Sequence, residues 1–215
     1  MLEAEKSDLE LILANSKTSI PKDQKEKVYK LLCDLRENAT KPFGVIVVLG
    51  YIPPENSADD FNEYTDSMDE DLFKGSKLNI DDAEAEKRIA KAAGTNATGN
   101  DGAILIDPDG NILHSGVYLK YKDYKDILDD LGAPKEGSLS DRFGFLEFVG
   151  TRHVSAICFS YRMPETTVYI ISEETEKMRI FEKGKIIFKE DKDPKKEILI
   201  QRQEQPIAYE AVPVS

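Results

Sequence analysis

Residues 43–49 are the stretch that most constrains how this chain can fold. Their sequence, FGVIVVL, contains no polar side chain, and four of its seven residues are β-branched. Apolar β-branched residues favour extended backbone, and a strand without a polar face must be covered on both sides. The apolar run is also far too short to cross a bilayer. The sequence therefore predicts a central strand of a β-sheet.

Helical patterns lie on both sides of this strand in the sequence. A helix that opens at Pro21 has one apolar face, because its apolar residues are spaced at 0, 3, 4 and 7 positions. These residues are Val28, Leu31, Leu32 and Leu35. An apolar patch near Ile12 predicts a short helix in residues 1–21, an N-terminal extension that lies on the body or on a partner chain. Asp81 and Glu84 resemble a capping box for a third helix, which Gly94 ends.

The remaining pattern alternates strands and helices. A β-hairpin is predicted around the turn at residues 107–110, and a second, closing hairpin around residues 182–184. The other predicted elements are a short helix at 124–131, a helix that starts near Val154, a strand at 166–171 and an edge strand at 198–200. This alternation predicts an α/β fold with a central mixed sheet flanked by helices. We expect a single domain at residues 22–188 and a C-terminal edge strand and tail at 189–215.

The charge of the chain limits the partners that it can have. It carries 29 basic and 41 acidic side chains, a net charge of −12, and no basic cluster. Binding to nucleic acid or to anionic membranes is therefore not expected. Cys33 and Cys158 lie in apolar helical patterns, which is typical of reduced core residues in a cytoplasmic protein.

Residues 53–71 form an acidic insertion with eight carboxylates and no lysine or arginine. Such a cluster could in principle hold a cation, but its spacing does not match a calcium-binding loop. We expect a solvent-exposed surface loop here.

Three polar groups fall where predicted strands end or a helix begins: Asp101-Gly102-Ala103, Gly150-Thr151-Arg152-His153 and Ser172-Glu173-Glu174. Such positions are where α/β folds bind ligands. The fork of an arginine guanidinium suits phosphate, a histidine adds a second donor, and the first amides of the following helix attract anions. This pattern alone leaves two interpretations open: a phosphate site, or pairing of Arg152 and His153 with acidic residues of this acidic chain.

These motifs resemble those of the diadenylate cyclases, which join two ATP molecules into cyclic di-AMP. That family carries a DGA motif, an RHR motif within GTRHR, and a strand that ends in SEET. The corresponding stretches here are DGA at 101–103, GTRH at 150–153 and SEET at 172–175, and Tyr118-Leu119 matches a pair that follows the DGA hairpin. The resemblance covers roughly residues 25–188.

The resemblance implies a reaction and a set of roles. The 3′-hydroxyl of one ATP attacks the α-phosphate of a second, and pyrophosphate leaves. Asp101 would activate the hydroxyl together with a divalent metal, Mg²⁺ or Mn²⁺, and Glu174 would help to hold that metal. The nucleotide would be bound by the other residues of the motifs, with Arg152 and His153 acting on the phosphates: Gly102, Ala103, Tyr118, Leu119, Gly150, Thr151, Arg152, His153, Ser172 and Glu173. Each domain binds one ATP, so a homo-oligomer with facing sites is implied.

The sequence departs from the family pattern at two positions. Val154 stands at the third position of the RHR motif and removes a positive charge, and Asn100 stands where some members have a histidine. Asp101, Arg152 and His153 are retained, so we expect an active cyclase. The alternative is a non-catalytic module of the same fold that binds ATP or cyclic di-AMP.

Overall fold

The computed structural model describes residues 3–55, 61–95, 102–121, 124–132 and 150–190. These residues form seven strands and five helices. The helices are α1 (Glu3–Asn15), α2 (Lys22–Asn38), α3 (Ala83–Ala93), α4 (Tyr124–Asp130) and α5 (Thr151–Arg162). The strands are β1 (Val45–Leu49), β2 (Thr65–Ser67), β3 (Ala103–Ile106), β4 (Ile112–Leu119), β5 (Thr167–Ile171), β6 (Met178–Glu182) and β7 (Lys185–Lys189).

Strand β1 is the middle strand of one mixed sheet, as its apolar sequence predicts. The strand order is β2-β4-β3-β1-β5-β6-β7. β1 runs parallel to β3 and antiparallel to β5, and all five of its residues are buried. The predicted α/β class with a mixed central sheet is confirmed.

The two faces of β1 belong to two different apolar layers, because successive side chains of a strand point to opposite faces. Val45, Val47 and Leu49 pack in the layer that contains the buried residues of α1, α2 and α3. Ile46 and Val48 pack in the other layer, with the buried residues of α4 and α5. The sheet is therefore covered by helices on both faces, which explains why β1 has no polar side chain.

Helix α2 begins at Lys22, directly after Pro21, and its predicted face is turned to the core. Val28, Leu32 and Leu35 are buried, and Leu31 packs against them. In α1, Leu9 and Ile12 belong to the same apolar layer, while Leu11 is 49% exposed. The predicted hairpins are both present, as β3–β4 and β6–β7.

The structure corrects the prediction of a surface loop at residues 53–71. Residues 65–67 form strand β2, which pairs antiparallel with β4 at the edge of the sheet, and Thr65 is buried. Asp71 accepts hydrogen bonds from the Phe73 and Ser115 amides. The prediction was wrong because acidic composition describes side chains only, whereas an edge strand is joined through its backbone.

Two helix starts also differ from the prediction. The N-cap of α3 is Asp82 rather than Asp81, and the Asp82 carboxylate accepts a hydrogen bond from the Asn79 amide at 2.7 Å. Helix α5 begins at Thr151, three residues earlier than expected, with Gly150 as its N-cap. The motif residues 151–153 are thus the first turn of the helix itself. Gly94 ends α3 in a left-handed conformation, as predicted. The predicted edge strand at 198–200 lies outside the described residues.

Candidate functional site

A cavity of about 520 Å³ lies where β1 and β3 begin and where β4 and β5 end. These ends meet at one edge because β4 and β5 run antiparallel to their neighbours β3 and β1. The cavity brings together nine of the residues that the sequence predicts for the site: Gly102, Tyr118, Leu119, Gly150, Thr151, Arg152, His153, Ser172 and Glu174. Segments that are up to about seventy residues apart in the chain therefore line one space.

Two of the predicted site residues that the structure describes, Ala103 and Glu173, are not among those that line the cavity. Ala103 is fully buried as the first residue of β3. Glu173 contacts Arg152 instead. Asp101, the predicted catalytic acid and metal ligand, lies outside the described residues, as does Asn100.

Gly102, directly before β3, lies against the backbone of β4. Its φ is +109°, and a Cβ there would lie 2.6 Å from the Val117 nitrogen. Its neighbour Gly116 has φ +64°, and a Cβ there would lie 2.7 Å from the Asp69 carbonyl oxygen. A side chain at either position would displace backbone, so both glycines are required by packing. This explains the glycine of the DGA motif without a ligand.

The first turn of α5 presents the GTRH motif to the cavity. The His153 and Val154 amides donate hydrogen bonds to the Gly150 carbonyl oxygen, at 3.1 and 3.4 Å. The N-cap residue, Gly150, has no side chain with which to cap the helix, and Thr151 is exposed. The amino end of a helix carries a partial positive charge, so this edge of the cavity favours an anion.

Arg152 projects from this turn over the start of β1. A Cβ on Gly44 would lie 2.7 Å from the Arg152 Nη1 atom. The same nitrogen lies 3.5 Å from Glu173 Oε2, and both side chains are partly exposed. The structure therefore contains the acidic pairing that was the alternative interpretation of Arg152. An exposed pair of this kind is weak, so phosphate could displace the carboxylate.

His153 has an unexpected neighbour. Its ring is buried, and its Nε2 atom accepts a hydrogen bond from Arg179 Nη1 at 2.6 Å. The ring also makes an edge contact with Phe181 at a centroid distance of 6.3 Å. The sequence analysis did not select Arg179. A charged residue in the middle of the apolar run Met178-Arg179-Ile180-Phe181 is a signal that could have revealed it.

Ser172 and Glu174 form a polar edge of the cavity. The Ser172 hydroxyl donates to Glu174 Oε2 at 2.9 Å. This hydrogen bond is the main reason why the pKa of Glu174 lies below its usual value, and the charge of Arg152 acts in the same direction. Glu174 is therefore an anionic oxygen donor, the type of ligand that Mg²⁺ and Mn²⁺ prefer.

The described residues do not make a complete metal site. Within the described ranges, no group of three or more His, Cys, Asp or Glu side chains could hold a metal ion. Mg²⁺ commonly takes only one or two carboxylates and completes its shell with water and substrate phosphate. A single carboxylate beside an anion-binding helix end fits that kind of site.

Aromatic and aliphatic side chains line the rest of the cavity. Tyr118 and Tyr121 pack edge to face with ring centroids 6.1 Å apart, and burial together with Tyr121 raises the pKa of the Tyr118 phenol. The sequence analysis did not predict the following lining residues: Ile46, Met68, Val117, Tyr121, Ser155 and Ile170. Among the described residues of the acidic insertion at 53–71, only Met68 lines the cavity.

Comparisons with known proteins place the fold. No protein-family model matches the chain, and no curated protein matches it. Among solved structures, a hypothetical membrane spanning protein from Bacillus cereus is 15% identical, covers 85% of this chain and 70% of its own, and has a TM-score of 0.51. A double-cysteine variant of DacA from Staphylococcus aureus is 19% identical over 85% of this chain and 99% of its own, with a TM-score of 0.46.

The likeness to the Bacillus cereus protein is one of fold, because an identity of 15% carries no residue-level information. In the part of this chain that the structure describes, none of the helices combines the length and the apolar character needed to cross a bilayer.

Proposed function

We propose that this protein is a diadenylate cyclase that condenses two ATP molecules into cyclic di-AMP and two pyrophosphates. One observation carries the proposal. Gly102, the GTRH turn and the Ser172–Glu174 edge line one cavity, although they resemble separate motifs of that family and are distant in sequence. A cavity with an anion-binding helix end, a cationic side chain and an aromatic wall suits a nucleoside triphosphate.

In the proposed reaction, the O3′ of one ATP forms a bond to the α-phosphorus of the other. The bond between that phosphorus and the bridging oxygen to the β-phosphate breaks, and pyrophosphate leaves. The proton of the attacking hydroxyl passes to the Asp101 carboxylate. A second attack in the opposite direction closes the ring.

The residues of this chain would bind and orient the triphosphate. The first amides of α5 and the Arg152 guanidinium neutralise phosphate charge, which the leaving pyrophosphate requires. The side chains that would contact the base and ribose are Tyr118, Leu119 and Tyr121. Asp101 and Glu174 would hold a divalent ion, Mg²⁺ or Mn²⁺, whose chemistry is to offset the negative charge of the phosphates.

A non-catalytic module that binds ATP or cyclic di-AMP is the second candidate, and two observations favour it. Arg152 is already paired with Glu173 at 3.5 Å. Val154 has an uncharged side chain, which is buried in the apolar layer with 3% exposure. It therefore adds no positive charge to the phosphate site.

One experiment separates the two candidates. The purified protein is incubated with ATP and either Mg²⁺ or Mn²⁺, the products are separated by chromatography, and cyclic di-AMP is identified by mass. The cyclase should release cyclic di-AMP and pyrophosphate in a ratio of one to two. Binding of ATP or cyclic di-AMP in a calorimeter, without turnover under either metal, would identify the binding module.

A further inference from the structure

A buried hydrogen bond joins α5 to β6 behind the cavity. Arg179 and His153 are 6% and 5% exposed, and Arg179 Nη1 lies 2.6 Å from His153 Nε2. In the antiparallel pairing of β5 and β6, Arg179 is opposite Ile170, which lines the cavity. Arg179 is thus on the side of the sheet that faces α5.

The chemistry of the two groups fixes the direction of this bond. A guanidinium has five N–H donors and no acceptor, so the Nε2 atom must supply the lone pair. A neutral ring that accepts at Nε2 carries its proton on Nδ1. A protonated ring would set N–H against N–H and would place two cations at hydrogen-bond distance in a buried site.

Among the described residues, two other charged groups act on the ring, and neither removes this constraint. Arg152 precedes His153 in the same helical turn and adds positive charge. The Glu174 carboxylate, after β5, favours a protonated ring, but it is exposed and is bonded to Ser172. Neither group can turn the guanidinium into an acceptor.

We infer that Arg179 is a positioning residue, which holds His153 as a neutral ring in the Nδ1–H tautomer. His153 then lines the cavity as a neutral donor. The buried positive charge behind it belongs to Arg179 of β6, whereas Val154, the residue after His153 in α5, carries no charge. The consequence for catalysis rests on the proposed function, but the tautomer of His153 does not.

The tautomer is measured directly by nitrogen-15 NMR of the histidine rings in the ligand-free protein near neutral pH. The chain has two histidines, so the His114→Gln variant leaves a single ring signal, that of His153. We expect a protonated Nδ1 and an unprotonated Nε2 in the wild-type protein. A ring protonated at Nε2 only, or at both nitrogens, would overturn the inference without any reference to activity.

Two substitutions then test the role of Arg179. Arg179→Met removes the donor at similar side-chain length, so we expect the preference for the Nδ1–H form to be lost. The kcat/KM for ATP should fall roughly tenfold. Arg179→Lys keeps a charged donor and should retain both the tautomer and most of the activity. Arg88→Gln, which changes a partly exposed arginine of α3, is the matched control.

Each outcome has one meaning. An Nδ1–H ring in the methionine variant would show that Arg179 does not determine the tautomer. A changed tautomer with unchanged kcat/KM would show that it has no role in turnover. If the Arg179→Met variant does not fold, the spectra of the wild-type protein and of the Arg179→Lys variant still show which ring nitrogen of His153 carries the proton. A wild-type Nδ1–H ring in a protein that makes no cyclic di-AMP would reject the proposed function alone.

Discussion

Arg152 has to change partners if phosphate is to bind at the first turn of α5. It lies 3.5 Å from Glu173, whose side chain is 56% exposed, so the carboxylate competes with an incoming phosphate. Removing the Glu173 carboxylate should therefore strengthen phosphate binding, whereas removing the Arg152 guanidinium should weaken it.

Glu173→Gln should lower the Kd for ATP by up to about fivefold, since exposed ion pairs contribute about 0–1 kcal/mol. Arg152→Ala should raise the Kd by roughly ten- to a hundredfold, because hydrogen bonds to charged groups contribute about 1.5–3 kcal/mol. Calorimetric titration with ATP measures both changes. Equal affinities for the wild type and Arg152→Ala would remove Arg152 from the phosphate site.

Asp101→Asn should abolish formation of cyclic di-AMP while ATP binding largely persists. The carboxylate is proposed to serve the attacking hydroxyl and the metal, and an amide cannot accept the proton. Product mass measured beside a calorimetric ATP titration provides the test. Turnover near the wild-type rate in this variant would show that another group accepts the proton.

At the scale of elements, the acidic insertion at residues 53–71 is joined to β4 by the carboxylate of Asp71. The Asp71 carboxylate accepts hydrogen bonds from His114 Nδ1 at 2.8 Å and from the Ser115 amide at 2.9 Å. Burial acts to raise the pKa of Asp71, but these hydrogen bonds outweigh burial and the pKa lies below the ordinary value of 3.8. Because the pKa is lowered in the folded protein, this stabilisation is complete above the ordinary value and is lost as the pH falls through the lowered one.

Asp71→Asn should reduce the free energy of unfolding by about 1.5–3 kcal/mol near neutral pH. The difference between wild type and variant should shrink in acid, where the wild-type carboxylate becomes protonated. Urea denaturation at a series of pH values follows both effects. Asp66→Asn, at a side chain that is 64% exposed, is the control. A difference that stays constant into acid would contradict the assignment.

A buried ion pair connects α2 to β6. Lys25 Nζ lies 3.6 Å from Glu182 Oε1, and the two side chains are 1% and 0% exposed. Glu182 also accepts hydrogen bonds from the Ser16 and Thr167 hydroxyls. Burial lowers the pKa of Lys25, although the attraction of Glu182 opposes this shift.

Lys25→Met should lower the free energy of unfolding by about 3–5 kcal/mol, because it leaves the Glu182 carboxylate buried without its countercharge. The double variant Lys25→Met, Glu182→Gln should regain part of the loss. Lys30→Met, at a side chain that is 45% exposed and pairs with Glu26, is the matched control. A loss in Lys25→Met no greater than in the control would show that the buried pair contributes little.

At the scale of the whole molecule, the proposed reaction needs two chains. Each domain would hold one ATP, and a two-fold axis through the paired nucleotides lets each 3′-hydroxyl reach the opposite α-phosphate. Two chains of net charge −12 repel each other, so the affinity of one chain for the other should be low.

Specific activity should therefore rise with protein concentration in the dilute range, unless another interface, such as one that uses residues 1–35, holds the chains together. Initial rates over a dilution series, with the mass of the assembly measured by light scattering, provide the test. Activity strictly proportional to concentration from a protein shown to be monomeric would rule out facing sites.

The sequence by itself determined the elements whose signals are local. The apolar run at β1, the spacing of the α2 face and the glycine after α3 each depend on a few adjacent residues, whose periodicity reflects burial. The three polar groups were also found in sequence, and most of their residues line one cavity because α/β folds gather strand ends. The role of Asp101 stays a prediction of the sequence.

The tertiary structure decided which groups face each other across the chain. Whether 65–67 becomes a strand depends on the free edge of β4, and where α5 begins depends on Gly150 rather than on the apolar pattern that starts at Val154. The partners of the motif residues were equally hidden, since Arg179 meets His153 across 26 positions and Glu173 meets Arg152 across 21. Such contacts are set by strand register and helix packing, which no short stretch of sequence encodes.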